Sequence, residues 1–183
     1  MNLYQFFHKD HPSHKMRTRD WLWLLAYPLY QILGTLRHEG SHAIAAWLEG
    51  SHIEKFVFWP TTTHGFYWGY VVLREKMSWL TFAAPYLVDL LTFVLFFFIC
   101  TKIKIKHHWI WVNLFIIGLI LPFINSAYKY ADSFIGSGDV NHIMTEIPKA
   151  VVHVYFMLTL LLYIGGLAWV QRSKKSVHNT SIT

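Results

Sequence analysis

The sequence has a single cysteine, Cys100, among 183 residues. One cysteine excludes a disulfide within the chain and any zinc site built from several thiolates. A metal ion would therefore have to be held by histidine, aspartate or glutamate side chains. The first 20 residues also lack an apolar stretch followed by a small-residue cleavage site, so we expect no removable signal peptide.

Charged side chains are scarce as well. They make up 14% of the residues, whereas apolar residues make up 54% and the mean hydropathy is +0.31. So little charge cannot cover a soluble globule of this size, but it suits a chain surrounded mostly by lipid. The net charge of +6 does not indicate nucleic-acid binding, because the Lys and Arg residues cluster in short stretches between apolar runs. The lipid bilayer is therefore an expected partner and nucleic acid is not.

Long apolar runs define the predicted fold class, an all-α polytopic membrane protein with about four transmembrane helices and a short β-hairpin after the first. The predicted spans are about 21–49, 79–101, 109–128 and 148–170. The hairpin is predicted at about 54–73, where two aromatic and β-branched runs flank a turn-forming segment. The predicted domains are an N-terminal segment (1–20), one membrane-embedded domain (21–170) and a basic C-terminal tail (171–183).

The positive charges predict an orientation for these spans. Residues 1–20, 102–106 and 172–175 carry ten of the sixteen Lys and Arg residues, and four spans place all three segments on one side. Because positive segments stay in the cytoplasm, we expect both termini there. The end of the first span and the 129–149 segment then lie towards the opposite face.

The motif His38-Glu39-Gly40-Ser41-His42 lies at the end of the first apolar run. Its H-E-x-x-H spacing places both imidazoles on one helix face, where they can bind the same Zn²⁺. Glu39 is offset by about 100° of helix rotation, so it is poorly placed as a ligand but can reach a water molecule on the metal. Ionisable groups near bilayer depth are costly and mark functional sites by default. We therefore predict one catalytic zinc ion, with Glu39 as the catalytic residue.

A catalytic zinc ion needs a third protein ligand and an open position. Asp139 is the preferred candidate because it lies on the same predicted side as the motif and follows a glycine-rich turn. It could instead serve only as a helix N-cap. His142, Asp132 and Glu146 remain alternatives.

The order of these features resembles the site-2 protease family of intramembrane zinc metalloproteases. The shared features are the H-E-x-x-H motif in a membrane helix, an aromatic hairpin, a proline in the next span and a later glycine-flanked aspartate. The resemblance implies that His38 and His42 are zinc ligands, Glu39 is the catalytic base and Asp139 is the third ligand. The family's Gly-Pro and Leu-Asp-Gly motifs are only partly kept, as Ala84-Pro85 and Gly138-Asp139-Val140.

The resemblance implies hydrolysis of peptide bonds in or near the transmembrane segments of membrane-protein substrates. Candidate substrate-binding residues are Tyr70, Val71 and Val72 in the hairpin, together with Asn125. Two alternatives remain: a non-catalytic relative that binds metal or partner helices, and a small transporter or scaffold in which the motif is accidental. The intact Glu39 favours the enzyme. The sequence does not identify the substrate or a regulatory partner.

Overall fold

The computed structural model describes residues 14–62, 68–74, 77–136 and 138–172. A 3-10 helix (Thr18–Ala26) leads into the first α-helix, and two antiparallel strands follow it before four further helices. The elements are α1 (Tyr27–Leu48), β1 (Ile53–Val57), β2 (Tyr70–Leu73), α2 (Trp79–Lys102), α3 (His108–Ile135), α4 (Asp139–Glu146) and α5 (Lys149–Arg172). The predicted fold class is confirmed.

Three of the described helices, α2, α3 and α5, are long and apolar enough to cross a membrane. Only 28%, 44% and 22% of their most apolar windows are buried inside the protein, so most of this apolar surface faces outwards, as expected for contact with lipid. These helices correspond to the last three predicted spans. They indicate an integral membrane protein.

The first predicted span, 21–49, is not one continuous α-helix. It is a 3-10 helix as far as Ala26, and α1 begins at Tyr27 with Pro28 in its first turn. A proline in the first turn costs no helical hydrogen bond, because that N–H has no partner within the helix. Proline therefore marks a boundary here rather than a kink. That this segment spans the membrane stays a prediction.

Helix α3 is longer than the predicted 109–128 run and is not uniform. It contains a π-helical turn at Ile116–Ile120 and ends in a 3-10 turn, Ser133–Ile135. The π turn lies just before Pro122, which has no N–H to donate to the preceding turn and so interrupts the α-helical ladder. The extension beyond residue 128 brings the end of α3 to the start of α4.

Two glycines shape the connection from α3 to α4. Gly136 (φ 84°) and Gly138 (φ 81°) both adopt left-handed backbone conformations that other residues rarely tolerate. A Cβ atom on Gly138 would also lie 3.1 Å from the Asp132 carboxylate. The turn therefore needs glycine, and it places Asp139 as the first residue of α4.

The hairpin lies beside α1. Phe56 pairs with Val71 and Val57 with Tyr70, and a bulge interrupts the register between Ile53 and Lys55. β2 begins at Tyr70, later than the aromatic run suggested. Residues 63–67, which cover the end of the predicted turn and the start of the second run, lie outside the described part of the chain. Trp68 contacts the Tyr27 ring edge-on at a centroid distance of 6.1 Å, so the hairpin is anchored to the start of α1.

The helices enclose two clusters of buried apolar side chains. The larger one joins α1, α2, α3 and α5 and contains Tyr30, Phe93, Trp111, Val112, Phe115, Ile116, Leu119, Tyr163 and Val170. The smaller cluster joins α2, α4 and α5 and contains Tyr86, Val140, Ile143, Val152 and Phe156. Because α4 contributes two residues to the smaller cluster, packing holds the short helix in place beside α2.

Candidate metal centre

The two histidines of the motif lie side by side on α1. Their ring centroids are 4.9 Å apart and the rings are nearly perpendicular, at 85°. Residues four positions apart stack on one face of a helix, so this arrangement follows directly from the spacing. His38 and His42 are 7% and 6% exposed, and their nitrogen atoms are therefore largely shielded from bulk water.

Asp139 completes a cluster with the two histidines. Its Oδ2 atom lies 3.2 Å from His38 Nε2 and 3.6 Å from His42 Nε2. Potential ligand atoms of the three residues all lie within 4.8 Å of one another, and the group could hold a metal ion. Two imidazole nitrogens and one carboxylate oxygen match the donor set of a catalytic zinc site, which keeps a fourth position open.

Each histidine also has a partner for its other ring nitrogen. His42 Nδ1 donates to the backbone carbonyl of Thr81 at 2.8 Å, which leaves its Nε2 available for a metal ion. The Asn125 amide lies 3.3 Å from His38 Nδ1. A carbonyl acceptor on the far ring nitrogen, such as Thr81 provides for His42, fixes the orientation of a metal-binding imidazole, so this part of the surroundings fits a metal centre.

A buried ion pair lies behind His38. Asn125 Nδ2 donates to Asp89 at 2.7 Å, and Arg37 pairs with the other Asp89 oxygen, also at 2.7 Å. Asp89 is only 1% exposed, and a buried carboxylate needs such partners. The network links α1, α2 and α3 beside His38. The substrate-binding role of Asn125 stays a prediction.

Two further side chains approach the Asp139 carboxylate. Tyr86 Oη donates to Oδ2 at 3.3 Å, and Lys129 Nζ lies 3.9 Å from the same oxygen. Burial raises the pKa of the Asp139 carboxyl, but the hydrogen bonds from His38 and His42 and the nearby cations outweigh burial and hold this pKa well below its usual range. Asp139 is therefore an ionised carboxylate at neutral pH, as a metal ligand must be.

Glu39 does not belong to the cluster of potential metal ligands, and it contacts the hairpin. Its partly buried carboxylate accepts a hydrogen bond from the backbone N–H of Val71 in β2. This N–H is on the edge of β2 that does not pair with β1. The outer edge of the hairpin therefore lies against Glu39.

The alternative third ligands lie outside the cluster. The His142 ring stacks on Phe82 at a centroid distance of 4.5 Å, and Phe82 in turn contacts the His42 ring edge-on at 6.4 Å. Glu146 accepts a hydrogen bond from the backbone N–H of Trp79. Asp132 lies beside the Gly138 turn. Of the four candidates, the structure brings only Asp139 to the two histidines.

Sequence reasoning missed several residues at this site. Lys129 and Tyr86 gave no signal, because their contacts with Asp139 depend on how α2, α3 and α4 meet. Arg37 and Asp89 did give a signal, since ionisable residues inside apolar runs usually pair with one another. The sequence could therefore predict that these two residues form an ion pair. It could not predict that Asn125 connects this pair to His38.

Comparison with known proteins agrees with this geometry. A family model described as peptidase M50B-like matches residues 21–167, from the 3-10 helix to near the end of α5. No curated protein and no solved structure matches the chain. The matched region includes the motif helix, the hairpin and the turn that carries Asp139. The chain therefore belongs to the peptidase M50B-like family, a group of membrane metalloproteases within the site-2 protease family.

Proposed function

We propose that this protein is an intramembrane zinc metalloprotease that hydrolyses peptide bonds in or near transmembrane segments of membrane-protein substrates. The observation that carries the proposal is the approach of Asp139 to both motif histidines. Glu39 follows His38 directly on α1. His38, His42 and Asp139 would hold the zinc ion. The family match and the apolar helices support this assignment.

The protein's own residues account for the proton transfers of peptide hydrolysis. When bound, zinc would supply a water molecule of lowered pKa and would polarise the scissile carbonyl group. Glu39 takes the proton of the attacking water as the bond to the carbonyl carbon forms. It then gives that proton to the leaving nitrogen as the carbon–nitrogen bond breaks. Its position outside the ligand set leaves it available for both transfers.

The hairpin is the proposed binding surface for the scissile segment. A transmembrane helix hides its peptide bonds within its own hydrogen bonds, so the substrate must unwind before it is attacked. An unwound segment can pair with an exposed strand edge. The outer edge of β2 lies against Glu39, so a segment paired there would be held next to the catalytic carboxylate. The distribution of Lys and Arg supports cytoplasmic termini, with this site towards the opposite face.

Removal of metal tests the proposed reaction. We expect the purified protein, reconstituted in liposomes, to cleave a mixture of quenched-fluorescent single-span peptides. Cleavage should be lost after dialysis against a chelator and should return on addition of Zn²⁺, because a zinc ion held by His38, His42 and Asp139 would supply the activated water. Fluorescence release measures the rate. Cleavage that persists in the metal-stripped protein would count against the proposal.

Proline at Val71 tests the role of the hairpin. Val71→Pro removes the edge N–H, which donates to Glu39 in the substrate-free protein. It is expected to lower cleavage of the same peptide mixture by about 10-fold or more, because the strand edge and the orientation of Glu39 both depend on this N–H. The zinc content should not change, since Val71 does not contact the ligands. Val71→Ala keeps the N–H and serves as the matched control. Equal rates for the two variants would argue against pairing at this edge.

A further inference from the structure

Lys129 is a cation at the metal centre with no role in the reaction described so far. It lies on α3, ten residues before Asp139, and its side chain is 28% exposed. Its charge interacts with three members of the site, namely His38, Glu39 and Asp139. Arg37, the cation that precedes the motif, differs because it is paired with Asp89 at 2.7 Å.

The distance from Lys129 to Asp139 leaves the lysine available for another partner. Its Nζ lies 3.9 Å from Asp139 Oδ2. A direct charge-assisted hydrogen bond between an ammonium and a carboxylate is about 2.7–2.9 Å long. The ammonium is thus close enough to influence the site electrostatically, while its N–H donors are not committed to Asp139.

The sum of the charges at the site indicates a role for the Lys129 cation. Two neutral imidazoles, the Asp139 carboxylate, the Glu39 carboxylate and a divalent ion together carry no net charge. Attack on a peptide bond places a new negative charge on the carbonyl oxygen, and this charge needs a positive group in a site shielded from water. Lys129 is the described cation closest to Asp139.

We propose that Lys129 stabilises the negative charge that develops on the carbonyl oxygen of the scissile peptide bond. This proposal rests on the proposed protease function. As the water oxygen bonds to the carbonyl carbon, the π electron pair moves to the carbonyl oxygen and the water proton moves to Glu39. The Lys129 ammonium donates a hydrogen bond to that oxygen. The pair returns when the carbon–nitrogen bond breaks and Glu39 protonates the amine, so Lys129 keeps its proton throughout.

The competing role for Lys129 is to hold the Asp139 carboxylate in position by attraction between opposite charges. The two roles predict different responses of the zinc affinity. A cation 3.9 Å from a ligand carboxylate opposes metal binding, so its removal should leave zinc binding unchanged or stronger. If Lys129 only held Asp139 in position, its loss would weaken zinc binding and cleavage together.

The test uses Lys129→Met, Lys129→Arg and the exposed control Lys149→Met in the full-length protein, with the same peptide mixture. We expect Lys129→Met to lower kcat by about 10²–10³-fold, with KM changed by less than about 3-fold and zinc bound at least as tightly. Lys129→Arg should recover part of kcat because it keeps the charge. Lys149→Met should match the wild type.

The results separate a failure of the proposed Lys129 role from a failure of the proposed protease function. An unchanged kcat in Lys129→Met, or a parallel loss of zinc and kcat, overturns the role of Lys129. If this happens while the wild type cleaves and Glu39→Gln does not, only the Lys129 proposal fails. If the wild type shows no zinc-dependent cleavage, both the Lys129 proposal and the protease function are overturned.

Discussion

Glu39→Gln is expected to lower the rate of peptide cleavage by about 10²–10⁴-fold while zinc remains bound. This range is the usual contribution of a positioned general acid–base group. Glutamine keeps the size of the side chain and can still accept the hydrogen bond from Val71, but it cannot take a proton from water. Because Glu39 does not belong to the ligand cluster, the metal site should be unaffected.

The measurement is kcat with the peptide mixture, taken together with the zinc content of each preparation. Glu54→Gln is the control, since Glu54 is a half-exposed hairpin carboxylate that pairs with Arg74 at 3.8 Å. Its rate should equal that of the wild type. If Glu39→Gln kept more than a tenth of the wild-type rate, Glu39 would not be the general base. A non-catalytic relative would show no cleavage in any variant.

Asp139→Ala is expected to weaken zinc binding by at least about 100-fold and to abolish cleavage. Loss of a group that merely supports a ligand already costs about 10–100-fold in metal affinity, so loss of a ligand should cost more. The variant leaves only two imidazoles, too few for a catalytic zinc site. Val140 and Ile143 still anchor α4 in the smaller apolar cluster, so the helix should stay folded.

His142→Ala and Asp132→Asn are the matched controls, because both residues were alternatives from the sequence and both lie near Asp139 in the chain. Competition with a fluorescent zinc chelator measures the affinity of each variant. The controls should bind zinc like the wild type, since neither residue belongs to the ligand cluster. Wild-type affinity in Asp139→Ala, with loss in His142→Ala, would reassign the third ligand.

The sequence predicted the helices well for a physical reason. In lipid, every backbone polar group must be satisfied within its own segment, so a long apolar run has few alternatives to a helix. This argument located α2, α3 and α5. It could not show that the first run changes from a 3-10 helix to α1 at Tyr27, or that α3 continues to Ile135, because those features depend on local backbone geometry.

The candidate site was only partly predictable. The spacing of His38 and His42 determines their relation on α1, so it can be read directly from the sequence. Asp139 could be named only as the best of several polar residues, because its approach requires the left-handed turn at Gly136 and Gly138. Contacts between distant segments, such as Lys129 with Asp139, require knowledge of how the helices pack.

The hairpin shows the same limit. Its aromatic and β-branched runs predicted two strands, and the structure contains both. The alternation of residues could not reveal which edge faces the motif helix. That relation appears only in the hydrogen bond from Val71 to Glu39, which joins two segments separated by more than thirty residues.

The zinc content of the purified wild-type protein, measured beside His38→Ala by elemental analysis, tests the central claim most directly. A site formed by His38, His42 and Asp139 predicts one zinc ion per wild-type chain and little or none in the variant, because only two ligands would remain. Wild-type protein that binds no zinc, even after incubation with Zn²⁺, would contradict the account, as would equal zinc contents in the two proteins.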